Sequence, residues 1–480
     1  MGREVADVKQ NAVFTTHGLD VSTLVVGLGM TGLSCVRFLV AQGVPVAVID
    51  SRMHPPALDE LRDELPDVAC FLGGFDPKVF KAANQLVVSP GVSLKEPLIA
   101  EAINNGTPVI GDIELFARFV DTPVVAITGS NGKSTVTTLL GEMAKHAGFD
   151  TRVGGNLGTP ALELLTTVVA ETESGVGQHF NDVVQHNAPN TKLYVLELSS
   201  FQLETTFSLN PKAAVILNIS PDHMDRYQTL DDYIAAKQRI FDGDGTRVIN
   251  LDDPLVATMT GPSGNVVGFT LNEPAEGVYG LRTKDGQVWL AKGEQLFLPA
   301  SEVRIKGQHN LANALAALAL GEAVGISVPA MLQTLREFPG LPHRMQWVAE
   351  HDGVTWYNDS KATNVGATLA ALSGLPDKVV LIAGGDGKGA DFTPLREAVA
   401  QKARAVVLIG RDALLMEKAL AGVTEIVHAQ DMDQAVVQAG QRACPGDSVL
   451  LAPACASFDM YSGYQQRGEV FIAAVHKWVQ

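Results

Sequence analysis

Residues 124–135 read VVAITGSNGKST, and this stretch decides the fold. The apolar run Val124–Ile127 predicts a buried strand, the glycine-rich turn follows it, and an Ala- and Leu-rich helix is expected through Lys145. Backbone amides in such a turn suit phosphate oxygens, Lys133 would neutralise the β- and γ-phosphates, and the Ser134 hydroxyl can ligate Mg²⁺. Ile127 stands where the full Walker pattern has its first glycine, so a plain helix-entry turn is the alternative. Because the strand and helix contexts agree, we favour a phosphate site.

Similar apolar runs recur on both sides of this stretch. Their continuous rather than alternating apolarity predicts strands buried on both faces, and therefore mostly parallel sheets flanked by helices. The recurrence of the pattern in three blocks predicts an α/β protein of three domains. Further examples are Thr23–Val26, Leu193–Leu196, Ala213–Leu217, Val379–Ala383, Ala405–Ile409 and Val449–Leu451.

Two breaks in the pattern give the expected domain boundaries. One lies near Gly111, before a helix-like Ile113–Phe119, and the other near Gly340, between two prolines. The expected domains are therefore residues 1–111, 112–340 and 341–480. The polar segment Glu171–Thr191 lacks periodicity and is expected to be a surface loop or insertion.

Composition limits the classes of partner. The 480 residues include 53 acidic and 36 basic side chains, a net charge of −17, which disfavours long-range attraction to nucleic acid or anionic lipid. Met1–Asp20 has no apolar signal-peptide core, and no run approaches the ~20 apolar residues that span a bilayer, so a cytoplasmic protein is expected. The cysteines have no metal-type spacing and predict buried free thiols: Cys35, Cys70, Cys444 and Cys455.

Polar side chains follow two of the predicted strands after the phosphate loop. Glu197 ends the run at Leu193–Leu196, and Asp222 and His223 follow Ala213–Leu217. Ligands collect at the carboxyl ends of strands in open α/β sheets, and Mg²⁺ prefers oxygen ligands, so these residues predict a metal site. The alternative is that Asp222 caps a helix and His223 is structural.

Eight segments occur in this order along the chain: ITGSNGKST, LELSSFQLE, NISPDHMDRY, GQHNLANALAAL, GLPHRM, NDSKATN, GGDGKGADF and LAPACASFDMY with a following QRG. Taken together they resemble the Mur ligases, specifically the branch that adds D-glutamate. The resemblance extends from about Thr23 to Trp478 and implies three domains that bind a uridine nucleotide, ATP, and ADP with the incoming amino acid. It implies Mg²⁺-dependent ligation of D-glutamate to UDP-N-acetylmuramoyl-L-alanine through an acyl phosphate, in cytoplasmic peptidoglycan precursor synthesis, by a monomer.

The same resemblance implies roles for individual residues. Lys133, His223 and Lys237 would be catalytic, and Ser134, Glu197, His223 and a carbamylated Lys237 would hold metal. Without modification, Lys237 would be expected to be a surface cation on an amphipathic helix. ATP would contact Gly129, Ser130, Asn131, Gly132, Lys133, Ser134, Thr135, Asn310, Asn313, Arg344, Asp359 and Lys361. The alternative for the Asn310 and Asn313 pair is an N-cap and a buried polar residue on a helix at Ala314–Leu320.

The resemblance also implies two substrate sites. The uridine substrate would contact Met30, Thr31, Asp50, Ser51, Arg52, Ser89, Gly91, Asn156, Ser199 and Gln202. D-Glutamate would contact Thr363, Lys388, Ser457 and Phe458, although Phe458 is bulkier than the aliphatic residue expected there, and Lys388 could instead be an exposed turn residue.

Three other functions compete with this interpretation. Another ligase on the same scaffold would add a different amino acid or extend folate. A nicotinamide dehydrogenase is suggested by Gly27–Gly32 alone, with Asp50 as a ribose ligand, but it leaves residues 129–135 unexplained. A non-catalytic nucleotide sensor would not need the metal ligands.

Overall fold

The computed structural model describes residues 22–166, 191–224, 226–259, 265–375 and 377–479. These residues form two compact units. The first contains the described residues up to Leu115 together with 165 and 166, and the second contains the others. Met1–Asp20 and most of the expected loop at Glu171–Thr191 lie outside the described residues, while Thr191 begins a strand.

The first unit is built on a five-stranded parallel sheet with the strand order β3-β2-β1-β4-β5. Val and Leu side chains of these strands are buried against the helices, as the continuous apolar runs require. The strands are β1 (Thr23–Val26), β2 (Val46–Asp50), β3 (Ala69–Leu72), β4 (Gln85–Val88) and β5 (Val109–Ile110). The helices are α1 (Met30–Ala41), α2 (Leu58–Glu64), α3 (Pro77–Ala82), α4 (Pro97–Asn104) and α5 (Asp112–Phe119), the last of which crosses into the second unit.

The second unit begins with a nine-stranded sheet in the order β14-β13-β12-β11-β10-β9-β6-β8-β7. In the part of the sheet ordered β12-β11-β10-β9-β6-β8-β7, all neighbouring strands are parallel. The strand β13 is antiparallel to both β12 and β14. The strands are β6 (Val124–Thr128), β7 (Asp150–Gly155), β8 (Thr191–Glu197), β9 (Ala213–Ile216), β10 (Thr246–Asn250), β11 (Val266–Phe269), β12 (Tyr279–Lys284), β13 (Gln287–Lys292) and β14 (Gln295–Pro299).

One face of this sheet is covered by α6 and α11, whose apolar residues share one core with β6 and β9. Because β6 lies between β8 and β9, the carboxyl ends of these three strands lie side by side. Chain segments that leave neighbouring parallel strands there form the usual ligand-binding edge of an α/β sheet. The helices are α6 (Lys133–His146), α7 (Ala161–Thr166), α8 (Ser200–Leu203), α9 (Leu230–Gln238), α10 (Pro254–Ala257), α11 (Gln308–Ala323) and α12 (Val328–Glu337).

The second unit ends with a six-stranded sheet in the order β15-β16-β20-β17-β18-β19, parallel except for β15 with β16. Alternate residues of β17 enter separate cores on its two faces, so this sheet is buried on both sides. The strands are β15 (Gln346–His351), β16 (Val354–Asn358), β17 (Val379–Gly384), β18 (Ala403–Ile409), β19 (Glu425–His428) and β20 (Ser448–Leu451). The helices are α13 (Val365–Gly374), α14 (Leu395–Lys402), α15 (Ala413–Leu420), α16 (Met432–Gly440) and α17 (Tyr464–Trp478).

Three α/β domains with mostly parallel sheets are therefore confirmed, and each predicted strand is present within two residues of its expected ends. The domain boundaries stay predictions: Gly111 lies just before α5, and Gly340 lies between α12 and β15. The cysteines are unpaired thiols, but the expectation that all are buried is wrong, because Cys444 is exposed and Cys70 is half-buried. Within the described ranges, no helix is long and apolar enough to cross a bilayer.

Candidate active site

The glycine-rich turn connects β6 to α6, as the sequence predicts. Gly132 is the N-cap of α6 and has a left-handed φ of 84°, a conformation that glycine adopts without a steric penalty. The Nζ atom of Lys133 donates to the carbonyl oxygens of Gly129 (2.9 Å) and Ser130 (3.0 Å), so the ammonium group is folded onto its own loop. Burial lowers the pKa of Lys133, and the nearby Glu197 opposes that shift.

A second loop, which follows β9, fixes the shape of the phosphate loop. The backbone amides of Ser130 and Asn131 donate to the carbonyl and side-chain oxygens of Asn218, at 2.9 and 2.8 Å. The hydroxyl of Ser130 donates to Ser220 O at 2.9 Å and accepts from Ser220 N at 2.9 Å. The sequence analysis missed Asn218, although its position directly after a predicted strand was the available signal.

Glu197 ends β8 and is 3% exposed. Its Oε1 accepts a hydrogen bond from Asn156 Nδ2 at 2.8 Å, and its Oε2 is buried without a hydrogen-bond partner among the described residues. A buried carboxylate oxygen is normally satisfied, so this atom fits a site that is completed by a bound cation. Asn156, expected at the uridine substrate, here orients Glu197.

Lys237 lies on α9 and is 2% exposed, so the expectation of a surface cation is wrong. Its Nζ donates to Gly129 O at 2.9 Å and to Thr128 Oγ1 at 3.3 Å, and it lies 4.7 Å from the ring centroid of Tyr233. Burial, followed by the charge of Lys133, holds the pKa of Lys237 well below its ordinary value. Burial therefore destabilises the charged form of this amine beside the phosphate loop.

Asp222 and His223 approach the same loop. Asp222 acts electrostatically on both Lys133 and Lys237, which shows that it lies near them. His223 has a left-handed φ of 58°, and its ring packs against Phe201 with 4.8 Å between centroids. The alternative that Asp222 caps a helix is wrong, because the next helix, α9, is capped by Thr229.

A cavity of about 320 Å³ opens beside the loop and is lined from both domains of the second unit. Several residues expected at ATP line it: Asn131, Gly132, Thr135, Asn310, Asn313, Arg344, Asp359 and Lys361. Leu217, Asn250, Phe269 and His309 line it as well and were not foreseen. The alternative that Asn310 is an N-cap is wrong: Gly307 caps α11, and Asn310 and Asn313 are buried in the helix and hydrogen-bonded at 3.1 Å.

Arg344 crosses from the C-terminal domain to the phosphate loop, where its Nη2 donates to Ser134 Oγ at 2.9 Å. Burial raises the pKa of Asp359 to about 6, with Arg344 opposing that shift. Burial, followed by the charge of Arg344, lowers the pKa of Lys361 to about 8. The ammonium of Lys361 lies 3.9 Å from the ring centroid of Tyr464.

The residues expected at D-glutamate lie on loops that follow neighbouring strands of the C-terminal sheet. Thr363 N donates to Lys361 O at 2.8 Å. This hydrogen bond connects a residue predicted to bind D-glutamate with one predicted to bind ATP. Lys388 is exposed, as is Phe458 (72%), whereas Ser457 is buried at 2%. Arg467, the arginine of the QRG segment, was given no role; it is 1% exposed and donates to Ser360 and to Cys455 O.

The residues expected at the uridine substrate fall into both units. In the first, Asp50 accepts from Leu28 N (2.7 Å) and from the backbone N, Nε and Nη2 of Arg52 (2.9, 2.9 and 2.7 Å). Burial raises the pKa of Asp50, but the hydrogen bonds from Arg52 and Leu28 lower it, and the net result is a lowered pKa. Ser89 Oγ donates to Gly27 O at 2.7 Å, and Met30 is 71% exposed at the start of α1. Thr31 is half-buried on α1, whereas Ser51 and Gly91 are exposed.

In the second unit, Ser199 and Gln202 form a capping box on α8. Gln202 N donates to Ser199 Oγ at 3.2 Å, and Ser199 N donates to Gln202 Oε1 at 3.1 Å. These hydrogen bonds fix the chain directly after Glu197. That Ser199 and Gln202 bind the uridine substrate stays a prediction.

Comparison with known proteins assigns the chain to a family. The Mur ligase MurD-like N-terminal domain matches residues 21–111, the Mur ligase middle domain 127–321, and the Mur ligase glutamate ligase domain 343–455. Solved structures of similar fold include the UDP-N-acetylmuramate–alanine ligase MurC of Thermotoga maritima, at TM-score 0.57 and 18% identity, covering 95% of this chain and 99% of that one. The MurF ligase of the same organism in complex with ADP has TM-score 0.56 and 17% identity, with 96% of each chain covered.

The three family models and the similarity to curated relatives show that the chain is an ATP-dependent ligase that forms amide bonds, and that it belongs to the Mur ligase family. It is similar over nearly its whole length to relatives named UDP-N-acetylmuramoylalanine–D-glutamate ligase. The relative from Nitrosococcus oceani is 54% identical over 458 residues, 95% of this chain and 96% of its own length. The one from Pseudomonas aeruginosa is 50% identical over 458 residues, 95% and 97% of the two chains.

Proposed function

We propose that this chain ligates D-glutamate to the free carboxylate of UDP-N-acetylmuramoyl-L-alanine with ATP, as part of cytoplasmic peptidoglycan precursor synthesis, and that it acts as a monomer. Relatives at 54% and 50% identity over nearly the whole chain carry the name of that reaction. The observation that carries the proposal is the unpartnered Oε2 of Glu197, buried within electrostatic range of Lys133 at the phosphate loop.

The nucleotide would take the cavity beside Asn313, with its phosphates toward the start of α6. Lys133 supports this because its ammonium already lies on the loop and can exchange two carbonyl oxygens for phosphate oxygens. Arg344 would add a second, permanently charged cation, since its guanidinium reaches Ser134. Clustered cations offset the negative charge that develops during phosphoryl transfer, which is the main catalytic need of that step.

Mg²⁺ fits the donor set. Glu197 would supply the oxygen that is left without a partner, Ser134 its hydroxyl, and His223 a ring nitrogen. Mg²⁺ is usually held by one or two protein carboxylates together with substrate phosphates, so phosphate oxygens would complete this set. When bound, the ion would neutralise phosphate charge.

Lys237 is proposed to carry a carbamate. A buried amine with a lowered pKa is a nucleophile for CO₂, and its carbamylation converts a neutral amine into an anion with release of one proton. The anion would offer oxygen ligands beside Lys133, whose charge would favour it. The family resemblance suggests this modification, and the burial of Lys237 supports it.

The two remaining substrates would be held by separate groups. Residues of the first unit, including Met30 and Arg52, would bind the uridine nucleotide. Lys388 would pair with the side-chain carboxylate of D-glutamate and Ser457 with the α-carboxylate. The alanyl carboxylate would take the γ-phosphoryl group from ATP, giving an acyl phosphate and ADP. The amine of D-glutamate would then attack the acyl carbon, and the tetrahedral intermediate would release phosphate as the amide forms.

The deciding experiment measures phosphate release with UDP-N-acetylmuramoyl-L-alanine, ATP and one amino acid at a time. The panel contains D-glutamate, L-glutamate, L-alanine, meso-diaminopimelate and a D-Ala-D-Ala dipeptide. We expect phosphate release with D-glutamate only, and mass spectrometry should find a product larger by one glutamyl residue. Turnover with another amino acid, or with none, would refute the proposal.

A further inference from the structure

Three loops follow the neighbouring strands β17, β18 and β20 of the C-terminal sheet. The first loop carries Lys388 and the third carries Ser457 and Phe458. The second loop in chain order, Gly410–Asp412, is called the middle loop here and carries none of the residues predicted to bind a substrate. Its contacts nevertheless point to a role in D-glutamate binding.

Asp412 holds the turn that carries Lys388. Its Oδ2 accepts a hydrogen bond from the buried amide of Gly387 at 2.7 Å, and its own amide donates to Gly385 O at 3.0 Å. The space is tight, since a Cβ atom on Gly387 would lie 2.7 Å from Phe392 and 3.2 Å from Asp412 Oδ2. The turn is therefore fixed from two sides by one residue of the middle loop.

Lys388 needs such support because its backbone is left-handed, with φ of 50°. That conformation is unfavourable for a residue with a Cβ atom and persists only when the surroundings impose it. The Lys388 amide donates to Asp386 Oδ1 at 3.0 Å, and Asp386 Oδ2 accepts from Arg411 Nη1 at 3.1 Å. Both Arg411 and Asp412 thus act on the turn of residues 385–388.

The middle loop is also joined to the third loop. Arg411 N donates to Asp459 Oδ2 at 2.8 Å, two residues after Ser457. The first and third loops meet directly, because Asp386 and Ala456 exchange backbone hydrogen bonds at 3.0 and 2.8 Å. The middle loop is therefore hydrogen-bonded to both loops that carry the groups predicted to bind the two carboxylates of D-glutamate.

A helix-capping role does not account for the Asp412 carboxylate. Asp412 is the N-cap residue of α15, yet its side chain makes no capping hydrogen bond. Asp431, the N-cap of α16 in the same domain, does make one, to Gln434 N at 2.8 Å. The Asp412 carboxylate faces the Lys388 turn instead.

We infer that Asp412 is a positioning residue for D-glutamate: it fixes the Lys388 turn so that the ammonium can meet the side-chain carboxylate of the substrate. The inference rests on the proposed function. It deepens that function by assigning substrate affinity to a loop that does not itself contact substrate. Asp386 and Arg411 support the same turn from its other side.

The test compares Asp412→Ala, Asp412→Asn and the control Asp431→Ala by steady-state kinetics. Loss of the hydrogen bond from Gly387 should raise KM for D-glutamate about tenfold or more, the effect of losing a hydrogen bond to a charged group. KM for ATP and for the uridine substrate should change by less than about twofold, since the loop touches neither set of predicted residues. Asp412→Asn keeps an acceptor oxygen and should restore most of the affinity.

A double-mutant cycle with Lys388→Ala separates positioning from general destabilisation. If Asp412 acts through Lys388, Asp412→Ala should add almost nothing to the KM of the Lys388→Ala variant, because coupled residues are non-additive. Independent effects that multiply would overturn the inference, as would an equal rise of all three KM values or the same rise in Asp431→Ala. If the parent chain shows no D-glutamate-dependent turnover, the proposed function fails instead. Normal parent turnover with unchanged KM in Asp412→Ala refutes the positioning role alone.

Discussion

At the scale of single residues, the clearest feature is the half-satisfied carboxylate of Glu197. Glu197→Gln keeps an oxygen acceptor for Asn156 but removes the charge that a cation requires. We expect phosphate release to fall by at least about 100-fold, the usual cost of losing a key electrostatic group at a reaction centre. Stopped reactions should measure this, and calorimetry should find binding of the uridine substrate retained.

The control for that variant is Glu302→Gln, which removes a carboxylate from an exposed ion pair with Arg336. Exposed ion pairs contribute little, so its turnover should match that of the parent chain. Full turnover of Glu197→Gln would show that the Glu197 charge is not needed.

Asp359 gives a prediction for pH dependence. Burial raises its pKa to about 6, above the value in an unfolded chain, so the folded state binds the proton more tightly. This stabilising contribution is fully present below the unfolded pKa and is lost as the pH rises through about 6. Asp359→Asn removes the buried charge and should be more stable than the parent chain at pH 8, by up to about 3 kcal/mol.

Thermal melting of Asp359→Asn and the parent chain at pH 5 and pH 8 measures that effect. The advantage of the variant should be larger at pH 8, where the parent carboxylate is ionised. An advantage that is the same at both pH values would contradict the assigned burial cost. Nucleotide affinity should fall in the variant if Asp359 contacts ATP as proposed.

Residue positions that depend on neighbouring residues in the sequence were predictable. The burial of a side chain by segments far away in the sequence was not. Glu197 lies at the end of β8, as its place directly after an apolar run predicted, while its role as a metal ligand stays a prediction. Lys237 was expected at the surface because its helix has polar neighbours, and its burial arises from contacts with Thr128 and Gly129, more than 100 positions away. No local pattern carries that information.

At the scale of elements, the start of α6 depends on Gly132. A Cβ atom there would lie 2.5 Å from Asn313 Oδ1, and the backbone is left-handed. Gly132→Ala should therefore destabilise the fold by about 1–3 kcal/mol and displace Asn313. We expect ATP affinity to fall at least about tenfold, because the phosphate loop and a nucleotide contact move together.

Gly148→Ala, beyond the other end of the same helix, is a matched control. Gly148 has nearly the same φ, 85°, but nothing lies within 4 Å of the added carbon. Both variants should lose stability in urea unfolding, and only Gly132→Ala should lose ATP affinity in calorimetry. Equal losses of affinity would mean that backbone strain alone explains the effect.

Element prediction from sequence worked best for the buried parallel strands. Runs such as Val379–Ala383 are apolar throughout because both faces are covered, and β17 extends the prediction by one residue. The strands β12–β14 were not predicted, because exposed residues at one end of each strand interrupt the apolar pattern. The helix expected at Ala314–Leu320 begins six residues earlier and ends three residues later, and its first turn is polar and lines the cavity beside the phosphate loop.

At the scale of the whole molecule, the central and C-terminal domains touch at the phosphate loop. Asn364 Nδ2 lies 3.4 Å from Asn131 Oδ1 and 3.3 Å from Asp222 Oδ2, while its Oδ1 caps α13 by accepting from Ala367 N at 2.9 Å. Asn364→Asp keeps the cap but replaces the donor with an anion facing Asp222. We expect the domains to separate and kcat to fall at least about tenfold, because closure assembles the reacting groups.

Spin labels on exposed positions of the two domains would report that separation as a longer mean distance. The control is Asn364→Ser, which can still cap the helix and introduces no charge, so its distance distribution should stay close to that of the parent chain. If Asn364→Asp keeps both the parental distance and the parental kcat, the contact plays no part in closure.

The hydrogen bonds of Lys133 to its own loop have a consequence for product release. Its ammonium can hydrogen-bond to two carbonyl oxygens of its own loop. When ADP leaves, the buried cation therefore keeps hydrogen-bond acceptors. Emptying the loop is then an exchange of one set of acceptors for another, with a small net electrostatic cost. An enzyme with this arrangement can bind a highly charged nucleotide in each catalytic cycle and still release ADP afterwards.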